Sequence, residues 1–298
     1  RGSKPLNTEQ LSTFLSLVET KSFSLAAGNL FVAQSTVSKR ISDLEAELGA
    51  RLFTRDRSGA QLTAAGKALL EYAEQIVNME EKAKEQIHRR NQYAGYLVIG
   101  TVFACYEAYL NEIVRVFLEK HPDISLRVNF GHSSRVIADV KRAALDVAFS
   151  HHPYDHPEYV CQLVEEDNAV LVTDAKNTVH IKGISHDKIK ELPFISSNFL
   201  YATTHSWLFP QSRQFRLEME IAKYTIPFLE GSGWYTLLAR KLVEKELASG
   251  KLVEIPILDT QIPTVRYYVI YRKEGVHQMA LRLWLDYLRL HMPLASGG

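Results

Sequence analysis

Several things are scarce in this chain, and each scarcity excludes something. No stretch of the 298 residues reaches the roughly 18 consecutive apolar positions that a bilayer-spanning helix needs. No charged start followed by an apolar run opens it, so no signal peptide is expected. Cysteine occurs only twice, at Cys105 and Cys161. Two cysteines make no disulfide framework, and a reducing, cytoplasmic setting is expected. Neither sign of charge dominates: 35 Lys and Arg stand against 34 Asp and Glu, for a net charge of +1. Any contact with nucleic acid must therefore come from a local surface rather than from the whole chain. Nucleophile-elbow, phosphate-loop and dinucleotide signatures are missing, so an enzymatic reading has no catalytic constellation behind it. Metal-ligand spacings such as HExxH or CxxC are missing too. The histidine-rich run "HHPYDH" at 151–156 is hemmed by Pro153 and Pro157 and reads as a loop at a cleft mouth. Nothing near Cys105 in sequence would lower its pKa, so no redox role is assigned to it. Neither a metal nor a cofactor is expected.

What is present is an ordinary globular composition, 46% hydrophobic and 23% charged, long enough for two or three domains. The segment "LAAGNLFVAQSTVSKRISDLEAELG", 25–49, carries an apolar stripe at Val37, Ile41, Leu44 and Leu48, one face of an α-helix. Around its first turns stand Gln34, Ser35, Thr36, Ser38, Lys39 and Arg40. A helix is predicted before it from Thr8 to Lys21, with Thr8 as N-cap and Leu11, Phe14, Leu15 and Val18 inward. Ser22 or Ser24 can cap a short second helix, and Gly49 can end the third. A short helix, a tight turn and a longer helix make a helix-turn-helix. Ala27, Leu30, Val32, Val37 and Ile41 would close its core. The six polar residues then face outward, with groups suited to base edges and phosphates.

"RLFTRDRSGAQLTAAG", 51–66, reads as a two-stranded wing anchored by Leu52 and Phe53, with Arg55 and Arg57 near its tip for DNA backbone. From Thr63 to about Arg90 a long helix is predicted. Leu69, Tyr72, Ala73, Ile76, Met79, Ala83 and Ile87 lie close to a seven-residue repeat, which suits pairing with a second copy.

At this point "SFSLAAGNLFVAQSTVSKRISDLEAELGARLFTR" and "LTAAGKALLEYA" resemble the winged helix-turn-helix of LysR-type transcriptional regulators. Ala33 stands where that family usually has Ser as the helix cap, and Ser35 where it often has Pro.

Beyond the linker "NQYAG", 91–95, strand and helix patterns alternate: "YLVIGTV", "EAYLNEIVRVFLEKHPD", "ISLRVNF", "SSRVIADVKRAA", "LDVAFS". That order indicates an α/β domain with a largely parallel sheet. "NAVLVTD" begins a second unit, and the final helix "VHQMALRLWLDYLRLH" is expected to return to the first. "LVIG", "FLEKHPDISL", "ALDVAF", "ELPFIS" and "ELASGKLVEIP" resemble the effector domain of the same family. The resemblance implies a periplasmic-binding-protein-like fold of two α/β subdomains with a small molecule between them. It also implies a first crossing near Glu165–Asp167 and a return near Arg272–Glu274. The domain expectation is 1–62 for the winged helix-turn-helix, 63–92 for the linker helix and 93–298 for the effector domain. Its first subdomain would take 93–165 and 273–298, its second 166–272.

Ligands of open α/β folds sit at the carboxyl ends of strands. The residues expected there are Thr101, Phe103, Ser133, Ser134, Ser150, His151, Ser196, Ser197, Gly231, Ser232 and Gly233, with Phe199 and Trp234 flanking an apolar body. Hydroxyls beside helix starts suit a small anion or carboxylate. The expected partners are double-stranded DNA and further copies of the chain, as dimer or tetramer, with RNA polymerase a further candidate. The rival reading is a solute-binding or enzymatic α/β domain that uses the N-terminal module only to oligomerise.

Overall fold

The structure is a computed structural model that describes residues 6–56, 59–89, 92–197, 208–209 and 213–292. The chain divides into two units, 1–94 with 138–145 and 95–137 with 146–298.

In the first unit α1 spans Thr8–Thr20, α2 Phe23–Asn29 and α3 Gln34–Leu48. The cap of α1 is Asn7 rather than Thr8: its side-chain oxygen accepts the Glu9 amide at 2.8 Å, which frees Thr8 to be helical. Ser22 caps α2 through the Leu25 amide. Ala33 offers no side-chain bond at the start of α3, and Gly49 ends that helix at φ 64°. Phe31, at φ 55°, makes the left-handed turn between α2 and α3.

Val37, Ile41 and Leu44 are buried against Leu11, Phe14 and Leu17 of α1. Each such side chain contributes about 1.5–3 kcal/mol. Leu48 departs from the expected stripe: it is exposed, as the last residue of α3 before the Gly49 cap. The wing is β1, Phe53–Asp56, paired antiparallel with β2, Gly59–Leu62. The Glu45 carboxylate accepts the Leu52 and Phe53 amides, tying the wing to α3.

Thr63 caps α4, Ala64–Arg89, by accepting the Gly66 amide at 3.0 Å. Gly66 lies so close to the wing that a Cβ there would stand 2.3 Å from the Leu52 carbonyl oxygen. The apolar residues of α4 divide between two edges. Leu69, Leu70, Ala73 and Val77 pack on the helix-turn-helix core, so Leu69 and Ala73 leave the expected pairing stripe. Tyr72, Ile76, Met79 and Ile87 stay exposed.

The second unit starts with β3, Gly95–Thr101, buried throughout. Helix α5 follows through Phe103–Cys105, a π-helical turn at Tyr106–Leu110, and Asn111–Lys120. It starts four residues before the predicted Glu107, because Val102 already adopts the extended cap conformation. Then come β4, Ile124–Phe130, α6, Ser133–Lys141, and β5, Val147–Ser150. Strand β6, Tyr159–Asp174, is long enough to serve two lobes. The second lobe adds β7 (Ser196–Ser197), β8 (Glu218–Met219), β9 (Tyr235–Ala239), α7 (Glu244–Ala248) and β10 (Leu252–Glu254). Strand β11, Thr264–Arg272, leads to α8, Met279–His291. Helix α8 packs on β3 and α5 as expected, with Trp284 edge-on to Phe117 at 5.1 Å.

The sheet runs β10-β6-β11-β5-β3-β4, with β9 also on β6. It is mixed rather than largely parallel. Only β5-β3-β4 pair parallel, and β6 and β11 run antiparallel to each other. A chain that crosses on one strand and returns on its neighbour must reverse direction between them. The outward crossing falls where expected, since β6 pairs with β11 up to Asn168 and with β9 from Ala169. The return comes earlier than Arg272–Glu274. Thr264 already pairs with Asn168, and Arg272 pairs with Tyr159 deep in the first lobe. Residues 264–272 thus join the first lobe's sheet rather than the second subdomain.

Candidate DNA-reading face and ligand cavity

On α3 the apolar stripe faces inward, so Ser35 and Lys39 point straight away from the core and are exposed. Gln34 and Ser38 occupy one flank. Gln34 is aimed by Ser24, whose hydroxyl donates to its amide oxygen at 3.0 Å. Ser38 lines a depression with Arg51, Phe53 and Thr54 of the wing. On the other flank Thr36 and Arg40 border a groove with Asn7 and Glu9 at the start of α1. Arg40 is committed there: its guanidinium lies 2.6 Å from the Glu9 carboxylate and 3.4 Å from the Thr13 hydroxyl. Its first role is to join α3 to α1, which periodicity alone could not foresee. Arg55 is carried on β1, and Arg57 lies outside the described residues.

In the second unit a cavity of about 390 Å³ opens at the carboxyl ends of β3, β4 and β5 and beside the end of β8. Its size suits a compact ligand. Phe103, Ser133, Ser134 and His151, all expected at the site, line it. Phe103 and Phe130 form the aromatic wall, with ring centroids 5.3 Å apart. The Ser133 hydroxyl accepts the His151 amide at 3.1 Å, which leaves its own O–H to donate at the start of α6. Burial pushes the His151 imidazole down to about 4, so it is neutral at pH 7.

Other expected residues lie elsewhere. Thr101 is buried and donates to the Val102 carbonyl, and the Ser150 hydroxyl accepts the His152 amide. Ser196 and Ser197 are buried on β7, parallel to β8, and neither hydroxyl has a hydrogen-bond partner among the described residues. The turn Gly231–Trp234 is closed on itself. The Gly231 amide donates to the Asp174 carboxylate, Ser232 to the Phe228 carbonyl, and Trp234 stacks near Arg216. This turn precedes β9, whereas Leu242, which lines the cavity, follows it. The glycine turn follows a helical segment, Ile226–Leu229, rather than a strand. Phe199 lies outside the described residues. In the loop at 151–156, His156 stacks on Tyr154 with ring centroids 5.7 Å apart.

Sequence reasoning missed Phe130 and His132, and also Glu220, Ile221 and Lys223. Phe130 is the last residue of the predicted strand "ISLRVNF" and His132 stands two beyond it, so applying the strand-end rule to the final strand residue and the two after it would have found both. The others follow β8, a two-residue strand too short to leave a pattern.

A helix-turn-helix with a wing, and a separate two-lobed unit with a ligand-sized cavity at its strand ends, define a DNA-binding regulator. Family models agree with both parts. The bacterial regulatory helix-turn-helix of the lysR family matches residues 8–67, and the LysR substrate binding domain matches 90–293. The chain belongs to the LysR family of transcriptional regulators. It is 27% identical over 284 residues to the HTH-type transcriptional regulator YusT of Bacillus subtilis, covering 94% of this chain and 95% of that one. With HdfR of Yersinia pestis it shares 34% over 159 residues, about half of each chain (53% and 54%). A full-length OxyR variant from Pseudomonas aeruginosa has the same fold, with TM-score 0.62, 16% identity and 99% of both chains covered. So does CbnR bound to its target DNA, with TM-score 0.61, 17% identity, and 96% and 100% covered.

Proposed function

We propose that this protein reads promoter DNA with α3 and the wing, as a dimer or tetramer joined through α4. We also infer that a small carboxylate or other small anion in the cavity sets its operator affinity. The observation that carries the reading is the cavity itself. It gathers an aromatic wall, a free hydroxyl proton on Ser133 and the start of α6 at the ends of three strands, and helix starts attract negative charge. A ligand that prefers one lobe arrangement shifts the population of that arrangement, and with it the DNA affinity.

RNA polymerase is a candidate partner of the DNA-bound form, and the cytoplasm is the expected compartment. The domain scheme 1–62, 63–92 and 93–298 serves this reading, with the return crossing moved as described. Footprinting on an operator selected from random duplexes, with and without small acids, tests the whole. An occupancy indifferent to every acid would refute the anion.

Gln34→Ala is expected to cost about 1–3 kcal/mol at the selected operator, with little change on unrelated duplexes. Gln34 is exposed and pre-aimed by Ser24, so its loss removes a base contact without disturbing the core. Fluorescence anisotropy on both duplexes checks it. Equal affinity of the folded variant for the operator would remove Gln34 from the reading face.

A further inference from the structure

The geometry points to Lys223 as the residue that receives the effector's negative charge, with Glu107 holding its ammonium until the effector displaces it. This rests on the cavity being the effector site. Lys223 belongs to the one-turn helix Ala222–Thr225 of the second lobe, and Glu107 to the π turn of α5 in the first. Their side chains form an ion pair across the cleft, and Lys223 lines the cavity. Among the described lining residues it is the one Lys or Arg. Of the lining imidazoles, burial holds His151 neutral, and His132 lies 3.6 Å from the Glu220 carboxylate.

The pair is built so that it can be exchanged. The Lys223 side chain is 45% exposed, so its ammonium keeps room for a second acceptor. Glu107 also borders an adjoining depression that contains Lys241 and Lys245. Lys241 there is paired with Glu244 at 2.6 Å, and Glu112 and Glu246 line the same depression, so Lys245 is the cation that a displaced Glu107 carboxylate would turn toward. π turns inserted in α-helices often mark functional sites, and this one carries the residue that would move. Replacing a cross-lobe contact by a ligand contact also tells the second lobe that the cavity is full. The Phe103–Phe130 wall favours an apolar or aromatic body behind the carboxylate.

The competing account makes the ion pair a fastener between lobes. Under it, breaking either partner loosens the cleft and weakens any ligand. Exchange predicts opposite signs. Benzoate, phenylacetate and hexanoate, each beside its amide, are titrated into the full chain by thermal shift and calorimetry. The acids should stabilise the wild type and the amides should not. Lys223→Met should weaken the best acid by about ten- to a hundredfold, the loss of one charge-assisted hydrogen bond. Glu107→Gln should tighten it severalfold. Lys223→Gln serves if the methionine variant fails to fold.

Weakening in both variants would overturn the exchange, as would failure of every acid to stabilise the wild type. Amides binding as well as acids would also overturn it while leaving the cavity as a ligand site. Footprint responses to uncharged compounds would separate that outcome from failure of the regulator reading itself.

Discussion

Ile76→Lys is expected to turn the oligomer into monomers and to weaken binding to a two-half-site operator by about a hundredfold or more. Ile76 is 38% exposed in the single chain, and Tyr72, Met79 and Ile87 beside it are 66%, 50% and 68% exposed. With Ala83 these positions follow one edge of α4, spaced as the seam of a paired helix requires. The adjoining edge is already occupied by the helix-turn-helix core through Leu69, Ala73 and Val77. A lysine at 76 therefore leaves the fold of the unit intact, and lysine is a good helix former. In a paired seam the same ammonium would be desolvated without a partner, at a cost of several kcal/mol. Two tethered reading heads gain affinity from each other, and separated heads lose that gain. Light scattering and anisotropy on duplexes with one and two half-sites measure both effects. An intact oligomer would show that α4 is not the seam. Unchanged binding to the single half-site is the control that the reading head still folds.

Gly66→Ala is expected to destabilise the first unit by about 1–3 kcal/mol and to abolish DNA binding well below the melting of the second unit. The added Cβ would stand 2.3 Å from the Leu52 carbonyl oxygen and 2.7 Å from Leu62 Cδ2. One of these is backbone, held by the Glu45 carboxylate at the Leu52 amide, so the wing must move as a whole. Alanine is otherwise the better helix residue, so intrinsic propensity predicts a gain of about 1 kcal/mol. Gly28 of α2 provides the contrast, because a Cβ there meets nothing within 4 Å. Gly28→Ala should therefore stabilise the same unit by about 0.5–1 kcal/mol. Differential scanning calorimetry resolves the two units, and equal effects of the two substitutions would contradict the packing argument.

The difference between those two glycines also marks the limit of what local pattern reveals. Both sit in predicted helices, and only the wing's approach distinguishes them. The same holds for Arg40, which reads as a base or phosphate contact by helical spacing but is held by Glu9, thirty-one positions away in sequence. The glycine turn at Gly231–Gly233 reads from sequence as the carboxyl end of a strand, yet it stands at the start of β9.

Wherever a period of 3.6 or 2 ran through enough residues, the sequence alone determined the element. That covers the helix-turn-helix with its buried Val37 and Ile41, the wing, α4, and the strands Gly95–Thr101 and Ile124–Phe130. Local burial sets those patterns, and local burial is written into composition and spacing. The tertiary structure decided which strand ends meet. The antiparallel return of β11 along β6 folds the second lobe back, and that return is what sets Lys223 against Glu107, more than a hundred positions apart. No period encodes such a meeting, because a two-residue strand such as β8 takes its place from pairing with β7 and not from any pattern of its own.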